Sequence, residues 1–238
     1  MSNEIRLKIN IMEVFNEIAS SYAYSRIRPW PQVMKLIHRY YNGGIICDIG
    51  CGPGQFSITI AIDKKCTLIS IDIAPSMLEI LWKRAVKREA YQNIHIIQAD
   101  MEHIPLRDKS VSMVLHIATI HHLPSMKCRI NALREVYRIL RNKGILIATV
   151  WALIQPKFII HLLKNIALKV IGKVKSIGDV IVPWRHKGKV LYRYYHLFLP
   201  RELRKLIITV GFKVLEHGEL KIRTKIVPDN YYVVGVKE

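Results

Sequence analysis

Short unbroken apolar runs alternate along this chain with longer stretches whose apolar residues return every three or four positions. Residues 45–49, 67–71, 94–98, 112–117 and 144–150 are the short runs, rich in isoleucine and valine, as strands buried on both faces must be. Residues 75–88, 127–140 and 200–210 carry helical spacing. Two later strand-like runs, 212–216 and 231–236, have no helix between them and are expected to pair antiparallel. Strand and helix in alternation predict an α/β fold with a mostly parallel sheet and helices on both faces.

Two regions stand outside the alternation. Residues 1–44 read as a helical cap, with Ile11, Phe15 and Ile18 on one face, ending in Arg26-Ile27-Arg28-Pro29-Trp30-Pro31. Its two prolines predict an extended, fixed loop. Residues 152–199 read as a basic amphipathic helix over about 157–174, then a loop containing Gly178, Pro183 and Gly188. They are expected as an insertion over the top of the sheet, within a single domain spanning 1–238.

Composition changes the picture mainly through charge. The chain carries 37 Lys and Arg against 18 Asp and Glu, a net charge of +19. The excess is +8 over residues 1–150 and +11 over the shorter stretch 151–238. Such a bias points to a polyanionic partner, nucleic acid before membrane surface; a solvated lysine-rich surface is the plainer reading. No run approaches the roughly 18 apolar residues of a membrane span, and the start, Met1 to Arg6, lacks the apolar region of a secretory signal. Cys47 and Cys51 form an unmatched Cys-x3-Cys, a poor zinc site, so no metal is expected. With Cys66 and Cys128 they are expected as reduced thiols in a cytoplasmic protein.

The candidate chemistry begins at Asp48-Ile49-Gly50-Cys51-Gly52-Pro53-Gly54, which follows a buried strand and opens a helix. Glycines here let the chain turn sharply and let a ligand touch the backbone. The spacing is that of neither dinucleotide binders nor a P-loop. With the acid before it, the run resembles the first motif of class I methyltransferases. Asp72 ends the second strand, 18 residues after Gly54, where a carboxylate can accept two ribose hydroxyls; a helix N-cap is its other reading. Asp100 ends the third strand. It resembles the acid that meets the adenine amino group in this fold, with Met101 against the base; Ile73 and His116 complete the expected cofactor set. The resemblance implies a Rossmann-like, seven-stranded sheet with its last strand antiparallel, and S-adenosylmethionine as cofactor.

At the end of the fourth strand stand His121 and His122, with no Asn/Asp-Pro-Pro-Tyr motif. They are candidates to face the transferred methyl group, or else to bond backbone or stack. The runs Phe15-Asn16-Glu17-Ile18-Ala19, Arg26-x-Arg28-Pro29-Trp30-Pro31, His121-His122, Trp151-Ala152-Leu153, Val182-Pro183-Trp184, Arg193-Tyr194-Tyr195-His196-Leu197 and Asp229-Asn230-Tyr231-Tyr232 together resemble the tRNA wobble-uridine carboxymethyl methyltransferases. That resemblance covers nearly the whole chain. It implies methyl esterification of a carboxymethyl group on the wobble uridine, with a small zinc-ribbon activator subunit as partner. A carboxylate nucleophile needs no base and suits an arginine fork, with Arg26 first and Arg28 second by match to the motif. Trp30, Trp151, Trp184, Arg193, Tyr194, Tyr195 and His196 are the remaining expected substrate contacts. Lys157, Lys164, Lys169, Lys173, Lys175, Arg185, Lys187 and Lys189 are expected to meet tRNA phosphate. Two departures bear on which uridine is accepted: Tyr231-Tyr232 stands where relatives tend to have Trp-Trp, and the linker before Val182 is short. The third strand is expected at a sheet edge, open to pairing with the activator along Ile94–Gln98. The competing readings are a methyltransferase for a small quinone or carboxylic acid, and a non-catalytic RNA-binding subunit.

Overall fold

A computed structural model describes residues 3–238 apart from 65, 173, 175, 224 and 225. Lys173 and Lys175, two of the cations expected at phosphate, lie outside the described residues. The elements run α1 (Asn3–Tyr24), α2 (Pro31–Tyr40), β1 (Ile46–Ile49), α3 (Gln55–Lys64), β2 (Leu68–Asp72), α4 (Pro75–Lys87), β3 (Ile94–Gln98), β4 (Val111–Ile117), α5 (Met126–Ile139) and β5 (Leu140–Trp151). They continue with α6 (Ile159–Val170), β6 (Asp179–His186), β7 (Lys189–His196), α7 (Glu202–Val210), β8 (Lys213–Leu220) and β9 (Asn230–Val236).

Seven strands form one sheet in the order β3-β2-β1-β4-β5-β9-β8. β1 to β5 are mutually parallel, and β9 runs antiparallel to both β5 and β8, as expected. β1 and β4 are buried at every residue, which is why they read as continuous apolar runs. The two main apolar clusters lie on opposite faces: one under α5 and α7, the other under α2 and α3. Because the chain leaves β1 toward β2 and returns to β4 on the other side, the sheet splits its crossovers there. A crevice at the carboxyl ends of β1 and β4 follows from that topology. β3 lies at one sheet edge, with His95 and Gln98 exposed and Ile96 and Ile97 half-buried.

Three expectations are corrected. Residues 179–196 are not a loop but the hairpin β6–β7, paired from Asp179–His196 to His186–Lys189. Lys187 and Gly188 turn it with φ of 46° and 75°, the left-handed pair that matches strand twist, and a two-stranded ribbon has a free edge that tolerates Pro183. The basic helix is shorter than 157–174, since α6 gives way to Gly172 at φ 70°. Pro31 opens α2 at its first turn, so the extended loop is confined to residues before it. α6 buries none of its side chains; Ile160, Leu163 and Val170 are 76%, 63% and 82% exposed. No described helix is long and apolar enough to cross a membrane.

Candidate active site

A cavity occupies the crevice, floored by the loop after β1 and walled by the ends of β2, β3 and β4. Gly50 turns the loop at φ 67°, and a Cβ there would stand 2.1 Å from Thr119 Cγ2, so no larger residue fits. Gly52, at φ 53°, has open space where a Cβ would be, leaving its backbone bare to the cavity. Its N–H donates to Asp72 Oδ2 at 2.9 Å, and Ala74 N–H donates to Oδ1 at 2.9 Å. Each carboxylate oxygen keeps a further lone pair. Burial raises the Asp72 pKa, marking it as a desolvated acceptor.

Asp48 lies beneath the loop and accepts from Ser57 Oγ at 2.7 Å, with Ser70 Oγ donating to Ser57 Oγ at 2.9 Å. Burial pushes Asp48 up to about 7, opposed by Ser57 and reinforced by Asp72. Asp100 accepts Lys8 Nζ on Oδ2 at 2.8 Å and Glu102 N–H on Oδ1 at 3.0 Å. Lys8, which sequence reasoning missed, comes from α1 and also contacts Glu102. Cys51, Ile73 and Met101 line the cavity; Gly54 and His116 do not. Gly54 is packed against Leu81, and His116 is wholly buried in β4 with no partner for either ring nitrogen.

The other end of the cavity is aromatic. Trp151 and Tyr195 stack at 4.6 Å and 15°, and the His122 ring lies 4.5 Å from Tyr195 and 5.0 Å from Phe15. His121 Nδ1 accepts from Trp151 N–H at 3.3 Å, which puts its proton on Nε2. His122 Nδ1 faces Tyr194 O at 3.4 Å and so carries the proton, leaving Nε2 an acceptor. Burial holds His121 well below its ordinary range; burial and then Arg193 lower His122 to about 3. Both imidazoles are neutral at neutral pH. Ala118 between strand and histidines holds φ 54°, a strained conformation that no sequence signal announces.

The charges at the mouth are positive. Arg26 lines the cavity and lies 5.1 Å over the Tyr22 ring. Arg193 is 4% exposed, with its guanidinium carbon 4.6 Å from the Trp184 ring centre and 5.3 Å from that of Tyr195; its Nε has no partner. Trp30 lines the cavity, while Arg28 is exposed outside it. Trp184 stands on the hairpin, 6.0 Å from Tyr22.

Tyr194 and His196 are drawn elsewhere, into the anchor of the hairpin. Tyr194 donates to Asp179 Oδ1 at 2.8 Å, and His196 sits between Asp179 at 2.8 Å and Glu202 at 2.7 Å. Both ring nitrogens of His196 face carboxylates, which favours the protonated ring. Burial alone would lower its pKa, but the two acids outweigh that and raise it.

The sheet order is that of the class I methyltransferase fold, and the acid-and-glycine cavity at its strand ends is of the kind that takes S-adenosylmethionine. Residues 47–148 match the family described as "Methyltransferase domain". Within that class, the chain is similar to the tRNA (carboxymethyluridine(34)-5-O)-methyltransferases. It is 27% identical over 247 residues to the Schizosaccharomyces pombe protein of that name, covering 95% of this chain and 96% of the relative. It is 31% identical over 146 residues to the Mus musculus protein named with the suffix ALKBH8, covering 61% of this chain but only 20% of that longer relative. Among solved structures, a SAM-dependent methyltransferase from Methanosarcina mazei superposes with a TM-score of 0.72 at 20% identity, covering 88% of this chain and 98% of that one. The [4+2]-cyclase SpnF gives 0.68 at 14% identity, covering 95% of each. A cyclase among the neighbours is a reminder that the fold alone does not choose the reaction.

Proposed function

We propose that this methyltransferase esterifies the carboxylate of a 5-carboxymethyluridine at the wobble position of a tRNA anticodon. The observation that carries the reading is a cavity mouth built from cations and aromatic rings, with Arg26 on its wall and Arg193 buried beside it, its Nε without a partner among the described residues. An anion is the natural occupant of such a mouth. The relatives' names and the +19 net charge support a tRNA as its bearer.

The residues at the cofactor end fit S-adenosylmethionine. Asp72 would accept the ribose hydroxyls, Asp100 the adenine amino group, Ile73 and Met101 would flank the base, and the bare backbone at Gly52 would meet the amino-acid part. When bound, the cofactor supplies an already activated methyl group. The remaining work is positioning. A carboxylate is ionised at neutral pH, so the neutral His121 and His122 need remove no proton. Arg26 would hold the carboxylate in line, while Trp151 and Tyr195 exclude water. Trp184 on the hairpin would stack an anticodon base, and Lys157, Lys164, Lys169, Arg185, Lys187 and Lys189 would meet phosphate.

The test is methyl transfer to an anticodon stem-loop bearing 5-carboxymethyluridine, with an unmodified stem-loop as control. Arg26→Ala is expected to lower kcat/KM at least tenfold, about 1.5–3 kcal/mol for a charged hydrogen bond, with S-adenosylmethionine affinity unchanged. Transfer to small carboxylic acids but not to the stem-loop would overturn the reading.

A zinc-ribbon activator is the proposed occupant of the β3 edge, whose isoleucine-rich strand is only partly buried. Co-expression is expected to yield a soluble pair that Ile96→Lys separates without loss of cofactor binding. A soluble, active monomer indifferent to Ile96→Lys would remove this partner.

A further inference from the structure

We infer that a recess beside the cofactor cavity seats the pyrimidine ring itself, and that Asn230 reads its edge by accepting the ring N3–H. This rests on the wobble-uridine reading and adds a binding residue to it. Arg26, Trp30 and Trp151 line both the recess and the cofactor cavity, so the two spaces adjoin along that rim. Behind the rim the recess is walled by Lys157, Arg223 and Asn230.

Asn230 opens β9, its backbone registered against Trp151 on β5 and Leu220 on β8. It is 3% exposed, yet its Oδ1 has no hydrogen-bond partner among the described residues. A buried amide oxygen left unpaired costs about 1–3 kcal/mol, so a ligand donor is the natural completion. Its neighbours are already engaged. Asp229 accepts the N–H groups of Ile222 and Arg223 on Oδ2 at 2.8 and 2.7 Å. Gln155 Nε2 donates to Ala152 O at 2.6 Å and to Asp229 O at 3.2 Å. Asn230 Oδ1 is the buried side-chain acceptor of this wall that lacks a partner among the described residues.

The surroundings specify a flat, electron-poor ring with carbonyls. Lys157 Nζ stands 4.6 Å from the Trp151 ring centre and brings a positive charge to the recess, with Arg223 as a second. Uracil offers one N–H between two carbonyl oxygens, which suits one acceptor flanked by cations. Cytosine presents an unprotonated N3 and would set lone pair against lone pair. In uracil the C5 substituent leaves the ring obliquely to the N3–H direction, on the C4 side. A ring held at N3 by Asn230 therefore leaves its C5 substituent free to turn to the rim, where the recess and the cofactor cavity adjoin at Arg26.

The experiment compares two stem-loops, one with 5-carboxymethyluridine and one with its N3-methyl derivative, on the wild type and on Asn230→Ala. Binding and methyl transfer are measured together, with S-adenosylmethionine affinity as the check on folding. The wild type is expected to discriminate at least tenfold against the N3-methyl substrate, and Asn230→Ala to bind the two alike. A wild type that methylates both equally overturns the subsite and leaves the wobble-uridine reading standing, whether or not the variant folds. Discrimination that survives in a folded Asn230→Ala also overturns it. A wild type that accepts neither stem-loop overturns both.

Discussion

The carboxyl ends of β1 to β3 and the hairpin that overhangs them are built on opposite terms. At the strand ends the acids are already bonded within the chain: Asp48 to Ser57, Asp72 to Gly52 and Ala74, Asp100 to Lys8. On the hairpin, Arg193 Nε, Trp184 Nε1 and His186 Nε2 are buried without partners, and α6 before it buries no side chain at all. The acids of the first region are satisfied without a ligand and can hold one by spare lone pairs. The second leaves donors unspent, as expected of a surface completed by a large polar partner.

The largest test of this contrast is Asp72→Ala. Two ribose hydroxyls lose their acceptor, so S-adenosylmethionine affinity should fall about thirtyfold, roughly 2 kcal/mol, while stem-loop affinity holds. Calorimetry with each ligand separates the two, and a parallel loss of both would erase the division. Arg193→Leu should do the reverse, weakening stem-loop binding about tenfold with cofactor affinity intact, since the lost group is a donor for an anion. A normal stem-loop titration would mean that Arg193 serves packing alone.

The smallest effect concerns pH. The folded pKa of His196 is raised above its ordinary 6.5, so its contribution is fully present below that value and is lost as pH rises through the folded one. Glu202, held below its ordinary 4.5 by His196 against the opposing effect of burial, loses its contribution as pH falls. Arg129 faces the same group and opposes its protonation. The hairpin anchor should therefore be firmest in mildly acidic solution, with melting temperature declining by no more than a few degrees on the alkaline side for a chain of this size. His196→Gln should flatten that alkaline decline, and a variant that retains it would assign the pH dependence elsewhere.

Much of the fold was legible because a strand buried on both faces has no choice but apolar residues; β3 was read to its exact bounds, and β1, β2 and β4 to within one residue at each end. The cavity itself was legible through Gly50, Gly52 and Asp72, which line it and whose types are dictated by backbone turns and a buried acceptor. The hairpin was not. Its strands mix cations with aromatics at Trp184-Arg185 and Tyr192-Arg193-Tyr194, Pro183 argues against a strand, and a lysine rather than asparagine holds the first left-handed turn position. Tyr194 and His196 carried the right family signature for an unforeseen job: they anchor the hairpin from behind. The Ala118 strain and the Lys8–Asp100 pair arise from three-dimensional closure, which no local pattern encodes.

α1 turns one of these features into a constraint of phase. Lys8 reaches Asp100, Phe15 lies against His122, and Tyr22 meets Trp184. These three stand seven residues apart, close to two full turns, so they form one line roughly 21 Å long down a single helix. The helix is in effect a ruler laid from the Asp100 end of the cleft to the overhanging hairpin. Adding one residue between Lys8 and Tyr22 would rotate one contact about 100° away from the other, and adding seven would restore the angle but overshoot by roughly 10 Å. Length and angle are both fixed, so this segment can change its side chains on the outer face freely, but not its residue count.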